Sequence, residues 1–276
     1  MAVPVACSVA GSDPSAGAGI QADLKAFAAC GVYGATVVTV VTAQNTTGVA
    51  AVHPVPAEMV GAQIDAVASD LAPAAWKTGM LGDAEIVAVV ARRLRLHRVT
   101  TLVVDPVIRS SSGRELLTAP GVAALVELLL PLATVVTPNL DEAAALTGVE
   151  VTDLASAREA ARVLCAAGPR VAVVTGGHLP GERVVDVVCD RDAGVCLELA
   201  HPRVAGRGGH GTGCTLSAAI TAFLARGVAP LDAVASAGAY VVEALRRAPG
   251  LGRGEGPLGH LAVEDAAVVS AVVEPG

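Results

Sequence analysis

Short apolar runs alternate with helically periodic segments along most of the chain. Residues 35–42 are rich in valine and lack polar alternation, a pattern typical of a strand covered on both faces. Residues 56–71 instead repeat apolar side chains, among them Val60 and Ile64, at the spacing of one helix face. This alternation predicts a mostly parallel sheet with helices on both faces, and we expect residues 35–42 near its centre.

The same patterns place the other elements. Predicted strands lie at residues 5–10, 35–42, 76–80, 101–104, 134–137, 170–175, 183–190 and 195–201. Predicted helices lie at residues 20–30, 56–71, 83–94, 120–130, 139–148, 154–167, 211–226 and 230–247. Asp83 has the character of an N-cap, and residues 43–48 are predicted to form a loop. No repeat or long linker divides the chain, so we expect one domain at residues 1–250, followed by a tail or extra helix at 251–276.

Composition narrows the possible classes of protein. Apolar residues make up 53% of the chain and aromatic residues only 2%, so the core must pack from small and medium-sized side chains. A net charge of −7 without any basic run argues against nucleic acid as a partner. No uninterrupted apolar run reaches the roughly 20 residues of a membrane span, and the first residues lack the features of a signal peptide. We therefore expect no membrane association and a cytoplasmic location.

The six cysteines show none of the paired spacings typical of zinc sites or disulfide scaffolds. Cys189 and Cys196 could face each other across a hairpin. In a cytoplasmic protein we expect their thiols to be reduced.

Most polar residues with reactive side chains follow the predicted strands. In a parallel sheet of this kind the ligand lies beyond the carboxyl ends of the strands. The loops expected at that edge are residues 11–19, 43–48, 78–80, 105–113, 138–142 and 176–178.

A glycine-rich stretch at residues 206–213 leads into an apolar helix. Glycine lets the backbone approach a ligand closely, and the open amides of a helix amino terminus attract anions. In this interpretation Gly211, Thr212, Gly213 and Cys214 cradle a phosphate, and the helix field lowers the pKa of the Cys214 thiol. Alternatively, the glycines only allow tight packing of a buried helix, with Cys214 as a small apolar residue.

Six segments, in order along the chain, resemble the motifs of hydroxymethylpyrimidine/phosphomethylpyrimidine kinases. They are residues 10–23 (AGSDPSAGAGIQAD), 42–45 (TAQN), 77–82 (KTGMLG), 105–107 (DPV), 137–142 (TPNLDE) and 210–215 (HGTGCT). The resemblance covers about residues 3–248. It implies a ribokinase-like three-layer α/β/α sandwich, often dimeric. It also implies phosphorylation of 4-amino-5-hydroxymethyl-2-methylpyrimidine and then of its monophosphate, with ATP and Mg²⁺, in thiamine synthesis.

The resemblance also implies roles for individual residues. Cys214 would accept the hydroxyl proton, with Gly211, Thr212 and Gly213 around the transferring group. The carboxamide of Gln44 would bind the aminopyrimidine edge, to which it offers both donors and an acceptor. The remaining residues of the substrate pocket would be Asp13, Ala18, Met80 and Val107. Nucleotide-binding residues would be Asn139, Thr175, Gly177 and His210. Asp105 and Glu142 would hold Mg²⁺, which prefers oxygen ligands and retained waters.

Three positions depart from the family pattern. Gly208 and Gly209 stand where Asn-Thr is usual, and Thr175 stands where lysine is common, so contacts to ATP are expected to differ. A pyridoxal or pyridoxine kinase remains an alternative, since relatives of this fold accept that ring. A pyrimidine-binding protein without catalysis is the second alternative.

Overall fold

The computed structural model describes residues 3–110, 113–177, 179–206 and 208–262 of the 276-residue chain. The strands are β1 (Val5–Ser12), β2 (Tyr33–Asn45), β3 (Gly48–Pro54), β4 (Ala75–Thr78), β5 (Leu102–Val104), β6 (Val135–Val136), β7 (Val171–Val174), β8 (Arg183–Asp190) and β9 (Val195–Pro202). Within the described residues they form one sheet in the order β3-β2-β1-β4-β5-β6-β7-β8-β9. The pairs from β2 through β7 are parallel, whereas β3, β8 and β9 are antiparallel to their neighbours.

The helices are α1 (Gly19–Ala29), α2 (Ala57–Asp70), α3 (Ala84–Leu96), α4 (Ala119–Ala124), α5 (Leu140–Thr147), α6 (Leu154–Ala166), α7 (Thr212–Ala225) and α8 (Pro230–Arg246). A π-helical turn, Leu125–Leu129, extends α4. Asp83 caps α3 as predicted, since its side chain accepts a hydrogen bond from the Ile86 amide. No helix in these parts of the chain combines the length and apolar character needed to cross a bilayer.

Helices cover both faces of the sheet, which confirms the predicted α/β/α sandwich. Helices α2 to α6 pack on one face through residues such as Ile64, Val90 and Leu164. Helices α1, α7 and α8 pack on the other face, where Phe27 and Phe223 are fully buried. Most of the remaining core is valine, leucine and alanine, as the scarcity of aromatic residues required.

The structure corrects the prediction at residues 35–48. Strand β2 lies second from the edge of the sheet, and Val41 within it is 48% exposed. It continues to Asn45 and turns into β3, so the predicted loop is mostly part of a hairpin. Strand β3 carries small apolar residues on an exposed edge, so no alternation of polar and apolar side chains marked it as a strand.

Cys189 and Cys196 lie opposite each other where β8 and β9 pair, and they form a disulfide bond. The expectation of reduced thiols was wrong for this pair. The register of the hairpin brings the two Cα atoms to 4.0 Å, which is close enough for a disulfide bond.

The segment from residue 251 to 262 continues past α8 and packs against the rest of the domain. Thr46, in the turn between β2 and β3, accepts hydrogen bonds from the amides of Arg253 and Gly254. A short 3-10 helix, His260–Ala262, follows. The question of a tail or an extra helix at 251–276 falls mostly on residues 263–276, outside the described part of the chain.

Candidate active site

Polar residues collect at the carboxyl edge of the parallel strands, as the sequence predicted. Asp13 follows β1, Gln44 lies at the end of β2, Asp105 follows β5 and Asn139 follows β6. Helix α7 packs against β1, β4 and β5 and begins at the same edge. The loops and the helix amino terminus therefore enclose a common space.

The glycine loop ends in a set of open amides at the start of α7. Gly211 has a φ of 84°, and a Cβ there would lie 2.0 Å from the carbonyl oxygen of Gly17, so only glycine fits. Among the residues described, none places an acceptor within hydrogen-bonding distance of the Gly213 and Cys214 amides. These two amides lie at the positive end of the α7 dipole, so the site is suited to a phosphate.

Two threonine hydroxyls brace this loop. The Thr212 hydroxyl donates to the carbonyl oxygen of Gly209, and the Thr215 hydroxyl donates to that of Gly211, both at 2.8 Å. The Nε2 atom of His260 lies 2.8 Å from the Thr215 hydroxyl. The end of the described chain thus supports the first turn of α7.

Cys214 lies in a buried, charged cluster. Burial raises the pKa of its thiol to about 12, although the charge of Lys77 and a bond from the Gly19 amide favour the thiolate. The charges of Asp105 and Asp23 act in the same direction as burial. The expectation of a lowered pKa was therefore wrong, because desolvation by burial is the largest influence on this thiol.

A lysine to which the sequence gave no role lies beside Cys214. Lys77 Nζ is 2.8 Å from Asp23 Oδ1 and 3.8 Å from Asp105 Oδ2, and it donates to the Cys214 carbonyl oxygen at 3.4 Å. Lys77 and Asp23 are both fully buried, and Ser8 donates to the second oxygen of Asp23. The sequence did contain an indication of this cluster, namely a lysine inside the short apolar strand β4. A charge buried in such a strand needs partners.

Asp105 and Glu142 form a second acidic group. Ser217 donates to Asp105 at 3.0 Å, while Glu142 accepts the amides of Asn139 at 3.0 Å and Ile108 at 3.3 Å. The Asn139 side chain in turn accepts the Glu142 amide, so this pair caps α5. Burial, reinforced by the charge of Asp105, raises the pKa of Glu142 to about 8.

This excess of negative charge fits a divalent cation. Carboxylate oxygens are the donors that Mg²⁺ prefers, and their mutual repulsion would be relieved by an ion between them. The described residues contain no group of three or more acidic, histidine or cysteine side chains that could hold a metal. An ion bound by Asp105 and Glu142 would therefore keep several waters, as Mg²⁺ does at phosphate sites.

Asp13, His210 and Gln44 meet beside the glycine loop. His210 Nε2 lies 2.9 Å from Asp13 Oδ2 and 3.1 Å from the end of the Gln44 side-chain amide. A Cβ on Gly17 would lie 2.4 Å from the His210 ring, so glycine makes room for it. The resemblance placed His210 with the nucleotide, whereas its contacts are with two residues predicted for the substrate. Gln44 thus lies next to His210, and the open amides of Gly213 and Cys214 follow His210 in the same loop.

The three apolar positions predicted for the pocket lie at the same edge and are partly exposed. The Ala18 amide donates to Asp13 Oδ2 at 2.9 Å. The Met80 sulfur lies beside Gly11, 3.2 Å from where a Cβ would be. The Val107 amide donates to the carbonyl oxygen of Asp105 at 2.9 Å.

Thr175 and Gly177 follow β7. The Thr175 amide donates to the carbonyl oxygen of Pro138 at 2.9 Å, so Thr175 lies beside Asn139. Gly177 is exposed, and its carbonyl oxygen accepts a hydrogen bond from Arg203 at 2.9 Å. Both positions border the site on the side of β6 and β7. The neighbouring His178 lies outside the described residues.

A steric contact explains the glycine at 208. A Cβ on Gly208 would lie 2.4 Å from the Ala248 Cβ. A Cβ on Gly209 would lie 2.8 Å from a carboxylate oxygen of Glu255, but that flexible side chain can move away. Ala248, which follows α8, therefore leaves no room at position 208 for the asparagine of the family pattern.

Gly208→Ala is expected to destabilise the protein by about 1–3 kcal/mol, the usual cost of overpacking. Urea denaturation measures this change. The matched variant Gly208→Ala/Ala248→Gly restores the space and is expected to recover most of the loss. A neutral single variant would contradict the steric explanation.

Known proteins resemble this chain in sequence over nearly its whole length. The family model described as phosphomethylpyrimidine kinase matches residues 13–259. The hydroxymethylpyrimidine/phosphomethylpyrimidine kinase of Rhizobium meliloti (strain 1021) is 50% identical over 259 residues, which are 93% of this chain and 96% of that protein.

Solved structures agree with this relationship. The pyridoxal kinase of Staphylococcus aureus in complex with AMP-PCP and pyridoxal matches with a TM-score of 0.87 at 34% identity, over 95% of each chain. The phosphomethylpyrimidine kinase of Clostridium difficile 630 matches with a TM-score of 0.77 at 38% identity, over 88% of this chain and 100% of that one. These matches confirm the ribokinase-like fold, and the chain belongs to the phosphomethylpyrimidine kinase family.

Proposed function

We propose that this protein phosphorylates 4-amino-5-hydroxymethyl-2-methylpyrimidine, and then its monophosphate, with ATP as the donor. One observation carries the proposal together with family membership. Gln44 contacts His210, and the open amides of Gly213 and Cys214 lie just beyond it on the same loop. A group that recognises an aminopyrimidine edge therefore adjoins a site for the transferring phosphate.

The residues of the site would promote phosphoryl transfer mainly by positioning the reactants and stabilising charge, rather than by covalent chemistry. The amides from Gly211 to Cys214 would hold the transferring phosphoryl group and stabilise its developing charge. Phosphoryl transfer has a loose transition state, so the alcohol proton leaves late and only a modest base is needed. Cys214 would accept that proton as the thiolate, after the proton of its own thiol has left to solvent. Its raised pKa makes the thiolate a rare species, and the charge of Lys77 stabilises the thiolate when it forms.

Asp105 and Glu142 would hold Mg²⁺, which neutralises phosphate charge when bound. Asn139 would act indirectly, since its side chain fixes the first turn of α5 that carries Glu142. Thr175, beside Asn139, would face the nucleotide without the positive charge of a lysine. We also propose that Gly177 borders the nucleotide.

Glu142→Gln is expected to raise the Mg²⁺ concentration needed for half-maximal activity by about tenfold, because a carboxylate ligand is lost. The oxygen of glutamine can still accept the Asn139 amide and keep the helix cap, but its NH2 group would face the Ile108 amide, so we expect a loss of stability of about 1–3 kcal/mol. Asp141→Asn, at the exposed neighbouring position, is the matched control and should leave the Mg²⁺ requirement unchanged. Equal effects of the two variants would remove Glu142 from the metal site.

A coupled assay of ADP release tests the function directly, with the pyrimidine, its monophosphate and pyridoxal as parallel substrates. We expect both pyrimidines to be phosphorylated. The similarity to the S. aureus pyridoxal kinase favours pyridoxal as the second candidate substrate, and a higher kcat/KM for pyridoxal would make that activity the main one. Pyrimidine binding in calorimetry without ADP release would instead indicate a binding protein.

We further propose a cytoplasmic homodimer. The edge strand β3 and the neighbouring side chain of Val41, which is 48% exposed, offer an apolar surface for a second copy. ATP as the donor supports a cytoplasmic location. Light scattering after gel filtration measures the oligomeric state.

A further inference from the structure

The Asp13 carboxylate is held ionised by donors on both of its oxygens. Ser15 donates its amide and hydroxyl to Oδ1 at 2.9 and 2.7 Å, and the amides of Gly17 and Ala18 donate to Oδ2 at 3.2 and 2.9 Å. Burial alone would raise the pKa of Asp13, but hydrogen bonds, the largest from His210, lower it to about 2. Asp13 is therefore only an acceptor at neutral pH.

An ionised Asp13 requires a proton on His210 Nε2. The two atoms are 2.9 Å apart, and a carboxylate oxygen facing an imidazole lone pair at that distance would be repelled. This proton decides how Gln44 must be oriented. In the structure the amide nitrogen of Gln44 lies 3.1 Å from the same Nε2, so two N–H donors would face each other. Rotating the amide by half a turn exchanges its oxygen and nitrogen, and the His210 proton then has a second acceptor.

Thr42 supports the same orientation. Its hydroxyl donates to the carbonyl oxygen of Ser12 at 2.9 Å and so has no second proton for the Gln44 oxygen, which lies 3.4 Å away. After the rotation, the Gln44 nitrogen donates to this hydroxyl. The His210 Nε2 proton and one N–H of Gln44 then each have an acceptor.

We propose that His210 is a positioning residue for substrate recognition: its Nε2 proton holds the carbonyl oxygen of Gln44 and fixes the order in which the amide presents donor and acceptor. One N–H of Gln44 remains for a ring nitrogen, and one lone pair of its oxygen remains for an adjacent amino group. This order matches a 4-aminopyrimidine edge and penalises a ring that lacks an acceptor opposite the N–H or a donor opposite the oxygen. The inference rests on the proposed function and names the residue that sets its specificity.

The test compares His210→Phe, which removes the donor, with His210→Gln, which keeps a donor near the position of Nε2. We expect His210→Phe to lower kcat/KM for the hydroxymethylpyrimidine by about tenfold, the effect of one lost hydrogen bond, mainly through KM. The KM for ATP should stay within about twofold, and the preference for the pyrimidine over pyridoxal should fall by a similar factor. His210→Gln should retain most of the wild-type preference.

A second variant tests the same inference without changing any side chain of the hydrogen-bonded group. Gly17→Ala pushes against the His210 ring, from which its Cβ would be 2.4 Å away. It should give the same selective rise in the pyrimidine KM. Ser69→Ala is the control, since this exposed serine bonds to carbonyl oxygens of its own helix α2, and its loss should leave the substrate preference unchanged.

The outcomes are distinct. If His210→Phe raises the KM for ATP and not that for the pyrimidine, His210 is a nucleotide residue and the inference is wrong. An equal loss of kcat on every substrate would mean that His210 has only a structural role, which also overturns the inference.

Calorimetry distinguishes failure of this inference from failure of the proposed function. Wild-type protein that binds the pyrimidine more tightly than His210→Phe, but does not phosphorylate it, would overturn the function and leave the inference intact. Protein that neither binds nor phosphorylates the pyrimidine would overturn both.

Discussion

Cys214→Ala is expected to lower kcat by about 10²- to 10⁴-fold, the range typical of removing a general base. The amides of the glycine loop remain, so the dissociation constant for ATP should change little. Rapid-mixing measurements of a single turnover, together with nucleotide binding by calorimetry, check both parts. The pH profile adds a further readout, since loss of a group with a pKa near 12 should flatten the rise of kcat in alkaline solution.

Cys165→Ala is the matched control for this prediction. Cys165 is another free, largely buried thiol, but it lies in α6 on the opposite face of the sheet from α7. It should keep wild-type kcat. A Cys214→Ala protein with unchanged turnover would show that position and charge at the open amides suffice, and that no base is required at residue 214.

Lys77→Met is expected to reduce the free energy of unfolding by about 3–5 kcal/mol, the cost of breaking a buried ion pair by removing one partner. The variant leaves the Asp23 and Asp105 carboxylates buried without their shared cation. Urea denaturation measures the loss. Arg158→Met removes one partner of a half-exposed ion pair with Glu198 and is expected to cost no more than about 1 kcal/mol.

The loss in Lys77→Met should depend on pH. Burial raises the pKa of Asp23 above its usual value, and removing Lys77 raises it further. A carboxyl whose pKa is higher in the folded protein stabilises it at low pH and loses that contribution as the pH rises through the folded pKa. The loss in free energy of unfolding caused by Lys77→Met should therefore be smaller at pH 5 than at pH 8.

The double variant Lys77→Met/Asp23→Asn tests why Lys77→Met is less stable than the wild-type protein. Asparagine removes the unpaired charge and can still hydrogen bond with Ser8. We expect the double variant to recover a large part of the lost stability and most of the pH dependence to disappear. If the double variant is less stable than Lys77→Met at both pH values, the charge of Asp23 is not what destabilises the single variant.

The residues that sequence reasoning missed share a cause. The partners of Lys77 and the contact of His210 with Gln44 both depend on groups distant in the chain. The Gln44 to His210 contact joins residues 166 positions apart, and the Lys77 to Asp23 pair joins residues 54 positions apart. No local pattern of polar and apolar residues encodes such a pairing, although a lysine inside an apolar strand indicates that one must exist.

The sequence by itself determined the alternation of strands and helices, the layered architecture and the edge of the sheet at which the polar loops gather. These follow from local periodicity and from the chirality of strand crossovers, which act over short stretches of chain. The tertiary structure decided the protonation of Cys214 and the partners of His210. Both depend on burial and on groups brought together from separate elements, and at residue 214 burial raises a pKa that the helix amino terminus was expected to lower.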